Sequence, residues 1–163
     1  MKTLSLLKPL VVALSLFLAL LAQARELPYN ESADVKAEVA QALATAGAAH
    51  RPVLLIFGAN WCEDCRALDA ALKKGRNAEL LAAEFTVVKI DVGNFDKNLD
   101  VVKRYGDPIA NGIPAAVILS ADNHVLFATR AGELADARKM SDDGIERFFK
   151  QALARFTPSS PAP

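Results

Sequence analysis

An α/β fold with a mixed central sheet flanked by helices is the architecture this 163-residue sequence predicts, and three observations predict it. Helical and strand-like segments alternate along the chain. The apolar run Val53-Leu54-Leu55-Ile56-Phe57 has no polar alternation, as expected of a strand covered on both faces. Two later apolar runs, 115–119 and 125–129, are separated by the turn-like Ala121-Asp122-Asn123-His124 and read as an antiparallel pair.

The N-terminus stands apart from this pattern. Lys2 and Lys8 form a basic region, residues 10–21 are apolar except for Ser15, and Ala22-Gln23-Ala24 has the small-x-small form of a cleavage site. Residues 1–24 therefore read as a signal peptide, with Arg25 opening the mature chain. An apolar run of about a dozen residues falls short of the roughly 20 that a spanning helix needs, so an uncleaved anchor is the weaker reading. The expected location is periplasmic or secreted, with no membrane attachment of the mature form. Residues 25–157 suit a single domain with one core, and the proline-rich residues 158–163 read as a loose tail.

Within the domain, residues 31–48 are expected to form a helix capped by Ser32, with Val35, Val39, Ala42, Leu43 and Ala46 inward and with Gly47 and Pro52 stopping it. A strand at 53–57 and a helix at 62–74 follow; Gly75 ends that helix, and Asn77 is expected to cap a short turn reaching Glu84. Residues 85–91 form a second strand and 99–105 a short helix. After the terminal strand pair, a helix over 142–155 presents Ile145, Phe148, Phe149, Leu153 and Phe156.

Charge excludes some functions. The chain holds 19 basic and 19 acidic side chains, and loss of Lys2 and Lys8 leaves the mature part slightly negative. That balance gives no footing for nucleic acid or an anionic membrane surface. The two cysteines, Cys62 and Cys65, are more telling. A disulfide closing so short a loop removes little unfolded-state entropy, so the pair is poorly placed as a staple. Reactivity is the better reason for it, and the start of a helix would favour the thiolate of the first cysteine.

Trp61-Cys62-Glu63-Asp64-Cys65 after a buried strand, with Gly112-Ile113-Pro114 before another, resembles the thioredoxin superfamily over most of the mature chain. Gly58-Ala59-Asn60-Trp61-Cys62 and Asp91 at a strand end are most similar to exported relatives of the C-terminal domain of the transmembrane thiol reductant. The resemblance implies a thioredoxin-like fold and exchange of disulfides with protein cysteines, with no bound cofactor. It implies that Cys62 is the nucleophile, exposed at the first turn of its helix, and that Cys65 is the buried resolving thiol. Trp61 would shield the site, and Pro114, cis in that superfamily, would present Ile113 backbone groups to an extended client. Two positions depart from the pattern: the buried acid of many thioredoxins is Ile56 here, and its usual lysine partner falls at Val87. Proton transfer at Cys65 must then use water, Glu63 or another carboxylate. The loop at 107–111 is longer than in plain thioredoxins and reads as a surface insertion, with a substrate lip as the other reading.

Glu63 and Asp64 are candidate tuning residues, because their charges oppose a Cys62 thiolate while the helix end favours it. They also stabilise the first helical turn, and both effects act together. The balance points to a reductant or exchanger of the cell envelope rather than a strong oxidant, working as a monomer with client proteins and an upstream redox partner protein. An exported copper(I)-binding module is the alternative, but Met140 lies away from the motif and no third soft ligand sits at motif spacing. His50 and His124 read as exposed loop residues, so no metal site is expected.

Overall fold

In the computed structural model of the chain, residues 27–156 are described; the expected signal peptide and the tail lie outside them. Two stretches of the described chain are long in apolar residues with strand character, and they form the middle of the sheet. β1 (Val53–Gly58) is buried along its whole length. It pairs in parallel with β2 (Thr86–Asp91) on one edge and antiparallel with β3 (Ala115–Leu119) on the other. β4 (Val125–Ala128) joins β3 antiparallel, giving the order β2-β1-β3-β4. The mixed sheet and the terminal antiparallel pair are those expected.

Alternation along β1 divides the core into two layers. Val53, Leu55 and Phe57 face a layer shared with α1 (Val35–Ala49), α4 (Leu99–Arg104) and both cysteines. Leu54 and Ile56 face the other, shared with α2 (Glu63–Leu72), α3 (Gly75–Glu84) and α5 (Asp142–Ala154). Phe149 anchors this second layer, fully buried and edge-on to both Phe85 and Phe148.

Helix boundaries depart from expectation for identifiable reasons. α1 begins at Val35 because Asp34, not Ser32, is its cap: the Asp34 carboxylate accepts the Ala37 N–H at 3.1 Å. Ser32 instead donates its N–H and hydroxyl to Asn30 in the preceding turn. Gly47 does not stop the helix, which runs on to a left-handed His50. Gly75 opens α3 rather than closing α2, its φ of +46° making the turn between them. Asn77 is no cap either. Its buried amide donates to Asp142 O at 3.2 Å, tying α3 to the start of α5.

The segment between β4 and α5, to which no element is assigned from sequence, folds back under α2. It contributes fully buried Leu134 and a 3-10 turn at Ala137–Lys139. The loop at 107–111 is not a mere surface insertion, since Pro108 and Ile109 are buried and Asn111 donates to Arg130 O at 2.6 Å. It is packed into the domain just before Ile113.

Phe149→Ala leaves a void where three elements meet, and such truncations cost about 3–5 kcal/mol. A lower urea midpoint with an unchanged slope is the expected result; an unchanged midpoint would show that this layer does not hold the domain together.

Candidate active site

β1 delivers the chain to the site, and local hydrogen bonds hold it there. Beyond Gly58, the Cys62 N–H donates to Ala59 O at 3.2 Å, closing a tight turn. Arg66 reaches back from α2 and donates to Asn60 O at 2.7 Å and Trp61 O at 2.9 Å. Cys62 is the N-cap of α2: its extended backbone leaves Sγ to accept the Cys65 N–H at 3.1 Å. A thiolate at that position receives both this donor and the positive helix end.

Cys62 and Cys65 form a disulfide, their Cα atoms 5.2 Å apart. Cys65 is fully buried, and Cys62 is only 6% exposed rather than exposed as the resemblance implies. Its cover comes from the neighbouring strand entry: Ile113 O lies 3.6 Å from Cys62 Sγ, and the buried Ile113–Pro114 peptide is cis. Ile113 is thus brought beside Cys62, with Pro114 following it across the cis bond. Trp61, just before Cys62 in the chain, turns its indole toward Gly93 and Phe95. It is 53% exposed, donating from Nε1 to Gly93 O at 2.8 Å and leaning on the exposed Phe95 ring.

Glu63 and Asp64 are not the bare charges that the sequence suggests, because Arg138 engages both. Its guanidinium pairs with Glu63 and lies 3.5 Å from Asp64, whose Oδ1 also accepts the Arg138 backbone N–H at 3.0 Å. Asp64 is accordingly almost buried, while Glu63 stays exposed. Arg138 belongs to the segment under α2, and no local pattern in the sequence announces that contact.

Behind Cys65, Ile56 points into the opposite layer, but an acid–lysine pair is present nearby. Lys89, the register partner of Ile56 on β2, pairs with Asp69 of α2, which Lys73 also meets at 3.0 Å. Asp91, buried at the end of β2 beside Gly58, has Lys97 Nζ 3.2 Å from its Oδ2. Tyr29 completes this side. Its main chain is held by the Asn60 side chain, which accepts the Tyr29 N–H at 3.0 Å and donates to Tyr29 O at 2.9 Å. Burial raises the phenol's pKa well above its ordinary value, and Asp69 and Asp91 push it further. Tyr29 lies outside every periodic segment of the sequence, so only its long-range packing reveals it. Met140 packs against the Phe149 layer, and His50 and His124 are exposed.

A family model described as thioredoxin-like matches residues 34–121. The crystal structure of a disulphide isomerase from Xylella fastidiosa Temecula1 is 55% identical, covers 80% of this chain and 99% of its own, and superposes with a TM-score of 0.78. The oxidised C-terminal domain of DsbD from Neisseria meningitidis is 21% identical over 74% of this chain and 97% of its own; its TM-score of 0.51 speaks for the fold alone. No curated protein matches the chain. With the family model spanning more than half the sequence, and a Cys-x-x-Cys disulfide at the end of the first strand, the chain belongs to the thioredoxin-like family of thiol–disulfide oxidoreductases.

Proposed function

We propose that this oxidoreductase works in the cell envelope, exchanging disulfides with cysteine-bearing client proteins as a reductant or exchanger. The observation that carries the reading is the asymmetry of the pair. Cys62 keeps a small accessible surface, whereas Cys65 has none. An incoming sulfur therefore meets Cys62 alone, and Cys65 is reserved for the second displacement. Ile113 O beside Cys62 gives an extended client a backbone acceptor, and exposed Trp61 and Phe95 give it an apolar edge.

In the reducing direction, the Cys62 thiolate attacks a client disulfide and forms a mixed disulfide, and one client sulfur leaves. Cys65 then attacks Cys62 Sγ and releases the second sulfur as the Cys62–Cys65 bond forms. An upstream redox partner must return the electrons. The envelope reading rests on residues 1–24, and no helix among the described residues is long and apolar enough to cross a membrane. The Xylella protein's being a disulphide isomerase supports exchange as the mode of action.

Direction follows from charge. Glu63, Asp64 and Arg138 leave one net negative charge on the α2 side of Cys62, and Arg66, held on Trp61 O, offsets part of it. That charge works against the thiolate and so lowers the potential of the pair.

Three measurements test this reading. Cys65→Ser should accumulate mixed disulfides with envelope proteins, whereas Cys62→Ser should accumulate none; absence of any adduct would remove the client-exchange mechanism. Equilibration with glutathione should place the potential well below the roughly −120 mV of a strong oxidant, and a value there would overturn the proposed direction. Arg138→Ala should raise the Cys62 thiol pKa and make the potential more negative by about 10–20 mV, since an exposed pair is worth under about 1 kcal/mol. A shift toward positive values would refute the charge argument.

A further inference from the structure

Cys65 has to become an anion in order to resolve a mixed disulfide, yet its sulfur is fully buried. A thiolate in an apolar pocket is costly unless a donor meets it. The acid that thioredoxins keep near this cysteine is Ile56 here, and Glu63 is turned outward to Arg138.

The group that does reach the pocket is the Tyr29 hydroxyl. Tyr29 is 3% exposed and belongs to the same layer as Cys65. A Cβ placed on Gly58 would run into the Tyr29 hydroxyl and ring while sitting 2.9 Å from Cys65 Sγ. The phenol and the sulfur thus both crowd the space where a Gly58 side chain would stand. Gly58 is not among the residues with positive φ, so space rather than backbone conformation demands glycine there.

The charged groups around the phenol leave it as a donor. Asp69 approaches from α2 and is answered by Lys73 and Lys89; Asp91 approaches from β2 and is answered by Lys97. Both carboxylates and burial hold Tyr29 protonated throughout the working pH range. It is therefore no base for the Cys65 proton. As a neutral phenol it can give a hydrogen bond to an anionic sulfur.

We propose that Tyr29 is the positioning residue of the resolving step, donating a hydrogen bond from its hydroxyl to the Cys65 sulfur whenever that sulfur is a thiolate. The inference rests on the exchange reading above. In the forward step the Cys65 thiol passes its proton to water, with the Tyr29 O–H turned to the sulfur left behind. The thiolate attacks Cys62 Sγ; the Cys62–Cys65 bond forms as the bond from Cys62 to the client sulfur breaks. The client sulfur leaves with that bond's electron pair and is protonated by water. Run backwards, Cys65 is the leaving group, and the same hydrogen bond stabilises its departure.

Tyr29→Phe removes one oxygen and keeps the ring that fills the layer. In a Cys62→Ala background, where Cys65 is the lone thiol, its pKa is read from the pH dependence of absorbance at the thiolate band. Tyr29→Phe should raise that pKa by about one to two units, as loss of a hydrogen bond to a charged group predicts. In the protein with both cysteines, the same change should slow resolution of a preformed mixed disulfide with glutathione by about tenfold at neutral pH. A second probe does not depend on how Tyr29→Phe folds. The chain has two tyrosines, so fluorotyrosine incorporation in a Tyr105→Phe, Cys62→Ala protein labels Tyr29 alone. The more acidic phenol is a stronger donor and should lower the Cys65 pKa. A Cys65 pKa unmoved by either change would overturn the proposal. Failure of the wild-type protein to exchange disulfides at all would instead sink the functional reading, and the pKa measurement keeps the two outcomes apart.

Discussion

The site depends on one constraint, the immobility of β1. That strand is buried on both faces and paired on both edges, so its C-terminal end at Gly58 has no freedom to shift. The Cys62 turn, the start of α2, Asp91 on β2 and the Ile113–Pro114 entry to β3 all lie around that end. Disulfide exchange needs the attacking, central and leaving sulfurs held in order, and a fixed strand end supplies that order without cost at the moment of reaction. The local bonds from Arg66 and Asn60 then act on a rigid base.

Around this base the two carboxylates of the motif divide their duties. Glu63 is exposed, and its pair with Arg138 is the kind worth under about 1 kcal/mol, enough to bias a thiolate but not to hold structure. Asp64 is nearly buried and accepts the backbone N–H of Arg138, which pins the 3-10 turn beneath α2. Removing Asp64 would leave that part-buried N–H without its acceptor and loosen the 3-10 turn from α2. The two acids look equivalent in the sequence, and only their surroundings separate a tuning charge from an anchor.

What was legible in the sequence follows the range of the interactions concerned. β1 and β3 are wholly apolar because they are covered on both faces, and their assignment needs nothing beyond composition and length. The Cys-x-x-Cys and Ile-Pro motifs are local strings, so the family could be read from them. Asp34 and Ser32 are both good caps, and only the turn closed by Asn30 decides between them. Tyr29, Arg138 and the actual contact of Asn77 escape the sequence because their partners lie 31, 75 and 65 positions away. The segment beneath α2 escaped too, since it buries Leu134 without any period a sequence scan would register.

The missing buried acid is the point where sequence and structure inform each other most. Ile56 and Val87 suggest that the acid–lysine pair of thioredoxins has been lost. The structure holds a different pair nearby: Lys89, directly across from Ile56, meets Asp69 of α2. A carboxylate at position 56 would have joined Leu54, Leu68 and Phe149 in an apolar layer, where burying a charge is expensive even beside Lys89. On α2, Asp69 keeps two lysine partners and still presents its field to the phenol beside Cys65. An apolar Ile56 with Asp69 on α2 changes the kind of help available to the buried sulfur. A carboxylate can take a proton from Cys65, but it also repels the thiolate that results. A phenol held protonated by burial, with two nearby carboxylates adding to it, cannot take the proton, yet it stabilises the anion once the proton has left. The division of labour puts proton removal in water and charge stabilisation in the protein, and Gly58 is the small residue that makes room for it.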